Sequence, residues 1–216
     1  MTTIPTPNQH RDQRVGVFVD VSNMYYSGRQ LYRRKVNFTA ILKEAVAGRH
    51  LVRAFAYAIK TDVADEPKFH EALERVGFDI RLKDLQVFFG GAKKGDWDVG
   101  IAIDVVRFIP KLDVVVLVSG DGDFKDLLEY ASSMGCRTEV ISFEKTTSSR
   151  LVEEADQITF MDRDLKKFLW SSTQRPQEPD GGAPHQPARR HLRKRSSRER
   201  APQKSSSPAA AVEHQS

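Results

Sequence analysis

Apolar and polar positions change rhythm several times along the chain, and each change marks an element. VGVFVD (15–20) is a nearly continuous apolar run rich in β-branched and aromatic residues. That pattern predicts a strand buried on both faces. It ends in an acid, Asp20, followed by a polar turn, Val21-Ser22-Asn23. Residues 29–48 carry a helical pattern, interrupted near Val36-Asn37 and stopped at Gly48. HLVRAFAYAI (50–59) predicts a second strand. DEPKFHEALERV (65–76) predicts a helix with Asp65 and Glu66 at its start, Pro67 in the first turn and Gly77 at its close. FDIRLKDLQVF (78–88) holds one or two strands, and GGAKKG (90–95) reads as a flexible basic loop.

The second half repeats the alternation. Residues 97–109 have apolar side chains at 101, 102, 105, 106 and 109, a helical spacing, and Pro110 ends the run. LDVVVLVSG (112–120) reads as a strand and DFKDLLEYASSMG (123–135) as a helix stopped at Gly135. TEVISF (138–143) is another strand, SSRLVEEA (148–155) a short helix, ITFM (158–161) an edge strand and DRDLKKFLW (162–170) a last helix. Strands alternating with helices at this spacing predict an α/β domain around a mostly parallel sheet. No internal repeat is visible. Residues 1–14 read as a flexible N-terminal arm, 15–170 as the domain, and 171–216 as a disordered tail rich in Pro, Ser, Gln, Gly and Arg. Such a composition buries too little apolar surface to offset its ordering entropy.

Charge sharpens this division. Residues 1–170 contain 25 Lys+Arg and 25 Asp+Glu, whereas residues 171–216 contain 9 and 4. The whole net charge of +5 therefore sits on the tail, and the domain is not basic overall. No apolar run approaches the roughly 20 residues that span a bilayer. The polar N-terminus lacks the apolar segment of a secretory signal. The single cysteine, Cys136, excludes an internal disulfide and a Cys-rich zinc module, and it reads as a small buried apolar side chain. A reducing cytoplasmic setting, away from membranes, is expected.

In open parallel sheets, ligands bind beyond the carboxyl ends of the strands. Two predicted strands end in acids here. The first gives Asp20; the second gives Ser119-Gly120-Asp121-Gly122-Asp123. If these strands are central neighbours, the carboxylates converge, and a divalent cation would offset their repulsion. Hard oxygen donors favour Mg²⁺ or Mn²⁺. Each acid also has a structural reading. Asp after a strand caps the following helix, and Asp-Gly is a common turn. An EF-hand loop does not fit, because the sixth position from Asp121 is Asp126 rather than Gly. Asp98 opens the 97–109 helix, where the helix N-terminus alone would favour an acid. Asp104 lies roughly 120° around the axis from Asp98, so the two share no narrow stripe.

The conjunction of VFVDVSNMYY (17–26), KKGDWDVGIAIDVVRF (93–108) and VVVLVSGDGDF (114–124) resembles the NYN domains, the LabA-like branch of the PIN-like ribonuclease superfamily. The resemblance runs from about residue 14 to 162. It implies a PIN-like (Rossmann-like) three-layer fold and a metal-dependent, endonucleolytic ribonuclease with Mg²⁺ or Mn²⁺ in an aspartate pocket. Carried over by position, the catalytic acids are Asp20, Asp98, Asp121 and Asp123, with Asp20, Asp98 and Asp121 as metal ligands. Asn23, Ser119 and Asp104 take supporting places. Asp98 is preferred to Asp96, which lies earlier, in the Gly-rich loop. The cations would activate water for attack on phosphorus and stabilise the leaving oxyanion. No catalytic histidine is needed, and His50 and His70 read as structural or exposed.

An acidic pocket repels phosphate, so an electropositive approach is required. Arg29, Arg33, Arg34 and Lys35 cluster after the first loop, and Lys93 and Lys94 precede Asp98. They are candidate backbone contacts or, equally, a solvated helix face and loop. Arg189, Arg190, Arg193, Lys194 and Arg195 form a dense run in the tail that would hold RNA in a salt-dependent way. Tyr25, Tyr26 and Trp97 either stack on single-stranded bases or pack the rim. RNA, single-stranded or structured, is the expected partner. DNA as a substrate and a homodimer are both left open. A non-catalytic RNA-binding or regulatory module would keep the same fold, although a degenerate pocket need not retain four acids. A nucleotide binder would place a Gly-rich turn after the first strand, where this chain has Asp-Val-Ser-Asn.

Overall fold

A computed structural model describes residues 11–60, 66–84, 86–87, 93–94 and 96–171. Six parallel strands form its central sheet in the order β3-β2-β1-β6-β7-β8. These are β1 (Arg14–Asp20), β2 (His50–Lys60), β3 (Asp79–Asp84), β6 (Val114–Val118), β7 (Arg137–Ser142) and β8 (Gln157–Phe160). The all-apolar runs fall at the centre, as expected of strands covered on both faces. Val15, Val17, Phe18 and Val19 of β1 and all five residues of β6 are fully buried.

Side-chain alternation sends neighbouring positions to opposite faces and divides the core in two. On one side, Val15, Val17, Val19, Val114, Val116 and Val118 pack against α1 (Val21–Tyr32), α2 (Phe38–Val46), α3 (Glu66–Val76) and α7 (Leu165–Phe168). On the other, Phe18, Phe55, Tyr57, Val115 and Leu117 pack against α4 (Asp98–Phe108), α5 (Lys125–Ser133) and α6 (Ser149–Glu154). The result is the expected three-layer arrangement.

Three expectations change. Val21-Ser22-Asn23, read as a turn, are the first turn of α1, because the Asp20 side chain accepts from Asn23 N (2.9 Å) and caps the helix. The 29–48 pattern is two helices. The first stops at Arg33, whose φ of 52° is left-handed, and Asn37 caps the second by accepting from Ala40 N (3.2 Å). Lys93 and Lys94, read as loop, form a two-residue strand (β5) antiparallel to β4 (Gln86–Val87). Two lysines carry no apolar period, so only the returning partner strand reveals this pairing. The rest of the GGAKKG segment and residues 1–10 lie outside the described residues, as does the tail beyond Ser171 with Arg189, Arg190, Arg193, Lys194 and Arg195.

Two polar clamps close the domain away from the carboxyl edge. Arg34 donates to the carbonyls of Leu169 and Trp170 (both 2.9 Å), and Trp170 N donates to Lys35 O. Arg49, buried at the start of β2, forms a bidentate pair with buried Glu139 of β7 (both contacts 2.8 Å). The same guanidinium donates to the carbonyls of Ala45 and Val46. No helix among the described residues is long and apolar enough to cross a membrane.

Candidate metal centre

From β1 the chain winds one way, through β2 to β3; from β6 it winds the other way, through β7 to β8. β1 and β6 are neighbours, with Val19 beside Val118. Their carboxyl ends therefore flank the crevice where the strand order reverses, the place where open α/β sheets bind ligands. Asp20 ends β1, and Ser119-Gly120-Asp121 follows β6 directly.

Each loop is held by its own side chains. Asp20 caps α1. One turn on, Asn23 Oδ1 accepts from Gly120 N (3.1 Å) and ties the two strand ends together. Fully buried Ser119 accepts from Asp121 N through its hydroxyl (3.2 Å), and Asp121 Oδ1 accepts from Asp123 N (3.1 Å). The capping and turn roles weighed for Asp20 and Asp121 are thus both real. They occupy one oxygen of each carboxylate, Asp20 Oδ1 and Asp121 Oδ1.

One carboxylate oxygen from each of Asp98, Asp121 and Asp123 lies within 4.8 Å of the other two. Asp98 reaches this point from the first turn of α4, and Asp121 and Asp123 from the loop after β6. Asp20 stands beside this triad rather than within it. Its carboxyl is pushed up to about 7, first by burial and then by the charges of Asp98 and Asp121, against the lowering effect of the Asn23 amide. The donor set is all carboxylate, with no sulfur or imidazole, and it fits a hard divalent cation.

Asp104 is not in this group. Tyr57 donates its hydroxyl to Asp104 Oδ2 (3.1 Å), while Arg81 (3.5 Å) and Arg107 (3.4 Å) flank it. It neutralises a buried polar corner between α4 and β2–β3. Trp97 is held as a wedge. Its indole donates to Ala58 O (2.8 Å), its ring lies 5.4 Å from that of Tyr57, and Lys83 sits over it. Tyr25 and Tyr26 form an edge-to-face pair in the second turn of α1. Cys136 is buried, its thiol near the Leu112 carbonyl. His50 opens β2, and His70 packs beside Phe69.

The basic residues divide differently. α1 begins at the carboxylate edge and rises about 1.5 Å per residue, so Arg29 lies ~13 Å along it from Asp20. Arg29 and Arg33 are exposed near the opposite edge of the sheet. Arg34 holds the end of the domain, as described. None of the three is brought to the carboxylates.

The sequence did not point to the Thr146–Ser148 segment, which folds over the acidic loop. Ser148 N donates to Gly120 O (3.0 Å), and a β-carbon on Gly120 would fall 2.6 Å from the Thr146 carbonyl oxygen. Its one signal was position: it follows β7, whose carboxyl end opens on the same edge. Since backbone blocks the site, Gly120→Ala is expected to destabilise the protein by about 1–3 kcal/mol, read as a lower denaturant midpoint. An unchanged midpoint would mean that the 144–148 turn does not rest on Gly120.

Comparisons with known proteins identify a family and a similar fold. The NYN domain family model matches residues 14–162. The chain is 29% identical over 185 residues to the low amplitude and bright protein LabA of Synechococcus elongatus, covering 81% of this chain and 96% of that one. It is also similar to the crystal structure of a Vibrio parahaemolyticus protein of unknown function. That match has 34% identity and a TM-score of 0.69, over 76% of this chain and 99% of the other. Matched across most of its domain, with an acidic cluster at the crevice of a parallel sheet, the chain belongs to the NYN domain family, within the PIN-like nuclease superfamily.

Proposed function

We propose that the protein is a metal-dependent ribonuclease that cuts RNA internally at the Asp98–Asp121–Asp123 cluster. The observation that carries this reading is the convergence of three carboxylate oxygens within 4.8 Å at the sheet's crevice. Mg²⁺ or Mn²⁺, held by these residues, would neutralise phosphate charge and activate water. The chain's own contribution is placement. Ser119 and Asn23 fix the backbone of the acidic loop, Asp121 orients Asp123, and α4 delivers Asp98. Asp20 modulates the charge. Burial and the neighbouring charges of Asp98 and Asp121 push its carboxyl up to about 7, so it holds its proton well above the usual carboxylate range.

The proposal is tested by incubating labelled single-stranded RNA, and the matching DNA, with the protein in Mn²⁺, Mg²⁺ or EDTA. Internal cutting of RNA that EDTA abolishes supports it. RNA bound but uncut under every condition would favour a binding or regulatory module, and cutting of DNA alone would change the substrate.

Asp20 also predicts a pH dependence. The folded protein holds this proton up to about pH 7, whereas an unperturbed carboxyl releases it near 3.8. Between those values, raising the pH costs the metal-free fold stability through this group. A cation favours the ionised form, so its binding displaces the proton and tightens until about pH 7. Mn²⁺ affinity measured by calorimetry should be about tenfold or more higher at pH 7.5 than at pH 5.5, with proton release at the lower pH. Equal affinities would place Asp20 outside the ion's influence.

A further inference from the structure

Basic side chains on the described surface often face a carboxylate: Arg53 faces Asp79, Arg75 faces Glu71 and Lys125 faces Glu129. Arg150 has no such partner among the described residues, although it stands beside the loop that carries Asp121 and Asp123. It is exposed on the first turn of α6, and its Cδ lies 3.9 Å from where a β-carbon on Gly122 would be. Gly122 is the residue between Asp121 and Asp123. Ser148 approaches the same point more closely: its Oγ lies 2.4 Å, and its Cβ 2.7 Å, from that β-carbon position. Ser148 sits at the N-cap of α6 but makes no side-chain capping bond. The Arg150 side chain, through its Cδ, and the Ser148 hydroxyl, both without a polar partner among the described residues, therefore share the edge of the acidic loop. Glycine at 122 is what lets Ser148 approach, since a side chain there would collide with it, while Arg150 stands at ordinary contact distance.

We propose that Arg150 and the Ser148 hydroxyl form a phosphate-holding rim that grips an RNA backbone phosphate next to the carboxylate cluster. The inference rests on the nuclease reading above and deepens it by locating the electropositive contact that Arg29, Arg33 and Arg34 do not supply. A phosphodiester entering an aspartate cluster meets repulsion before it meets a cation. A guanidinium fork beside the cluster offers two parallel donors to the phosphate oxygens, and a serine hydroxyl offers a third. Neither group must first break an ion pair with the described residues. Such a contact orients the backbone without reading base sequence.

The test compares the full-length wild type with Arg150→Gln, Arg150→Lys and Ser148→Ala on a labelled single-stranded RNA oligonucleotide in Mn²⁺. Arg150→Gln should raise KM about tenfold, more than it lowers kcat. It should also flatten the dependence of log affinity on log salt by about 0.7, the signature of one lost phosphate contact to a single strand. Arg150→Lys should restore the slope but only part of the affinity, because an ammonium lacks the fork. Ser148→Ala should raise KM severalfold without changing the slope. Thermal unfolding should be unchanged in Arg150→Gln. A wild-type KM and slope in Arg150→Gln would overturn the rim and leave the nuclease reading standing, since loss of cleavage in Asp121→Asn tests that reading separately. RNA neither bound nor cut by the wild type would overturn both.

Discussion

Asp121→Asn is expected to lower metal-dependent RNA cleavage at least a hundredfold while leaving the fold intact. Removing an outer-shell partner of a metal typically costs 10–100-fold, and a direct carboxylate ligand contributes more. The variant should nevertheless fold, because asparagine keeps the oxygen that accepts from Asp123 N and the loop turn survives. It should even be slightly more stable than the wild type without metal, since one charge leaves a cluster of mutually repelling carboxylates. Asp98→Asn should behave alike, as its carboxylate belongs to the same triad. Paired thermal unfolding with and without Mn²⁺ completes the measurement. The ion should raise the midpoint of the wild type and raise that of Asp121→Asn much less. Wild-type cleavage by Asp121→Asn would move the active site elsewhere.

The largest stability effect is expected far from that site. Glu139→Ala leaves the Arg49 guanidinium buried without its bidentate carboxylate and should cost about 3–5 kcal/mol. For a chain of this size that is a fall of roughly 10 °C in the unfolding midpoint. The loss comes from an uncompensated buried charge more than from the pair's own strength. The double variant Arg49→Met/Glu139→Leu should therefore be more stable than Glu139→Ala, because it removes both charges together. Arg137, the other cation on Glu139, is partly exposed and also donates to Gln157, so it tolerates the change. A double variant less stable than the single one would mean that the ion pair itself drives folding at this position.

These two predictions differ in how far the sequence alone foresaw them. Asp121 was visible because a strand signal ran into Ser-Gly-Asp-Gly-Asp, and the motif resemblance named the same residues. Arg49 and Glu139 were invisible. They are 90 residues apart, and nothing in either local pattern marks burial of a charge. The surroundings of Asp104 were hidden for a related reason. Its spacing from Asp98 said only that the two do not share a stripe, whereas its partners Tyr57 and Arg81 come from two other strands. Arg34 looked like one of a basic cluster. Only the packing of Leu169 and Trp170 onto the α1–α2 connection shows that it binds carbonyls.

What the sequence determined by itself is what short-range physics controls. Continuous β-branched runs specify strands covered on both sides, glycines and capping residues specify where helices stop and start, and acids at strand ends specify which edge gathers the carboxylates. What only the tertiary structure decided is which of those acids meet. Adjacency of β1 and β6, the placement of α4 that brings Asp98 to Asp121 and Asp123, and the folding of Thr146–Ser148 over the glycines are all contacts between distant segments. Their geometry follows from how two helix layers pack on one twisted sheet, a property of the whole fold that no local window of residues contains.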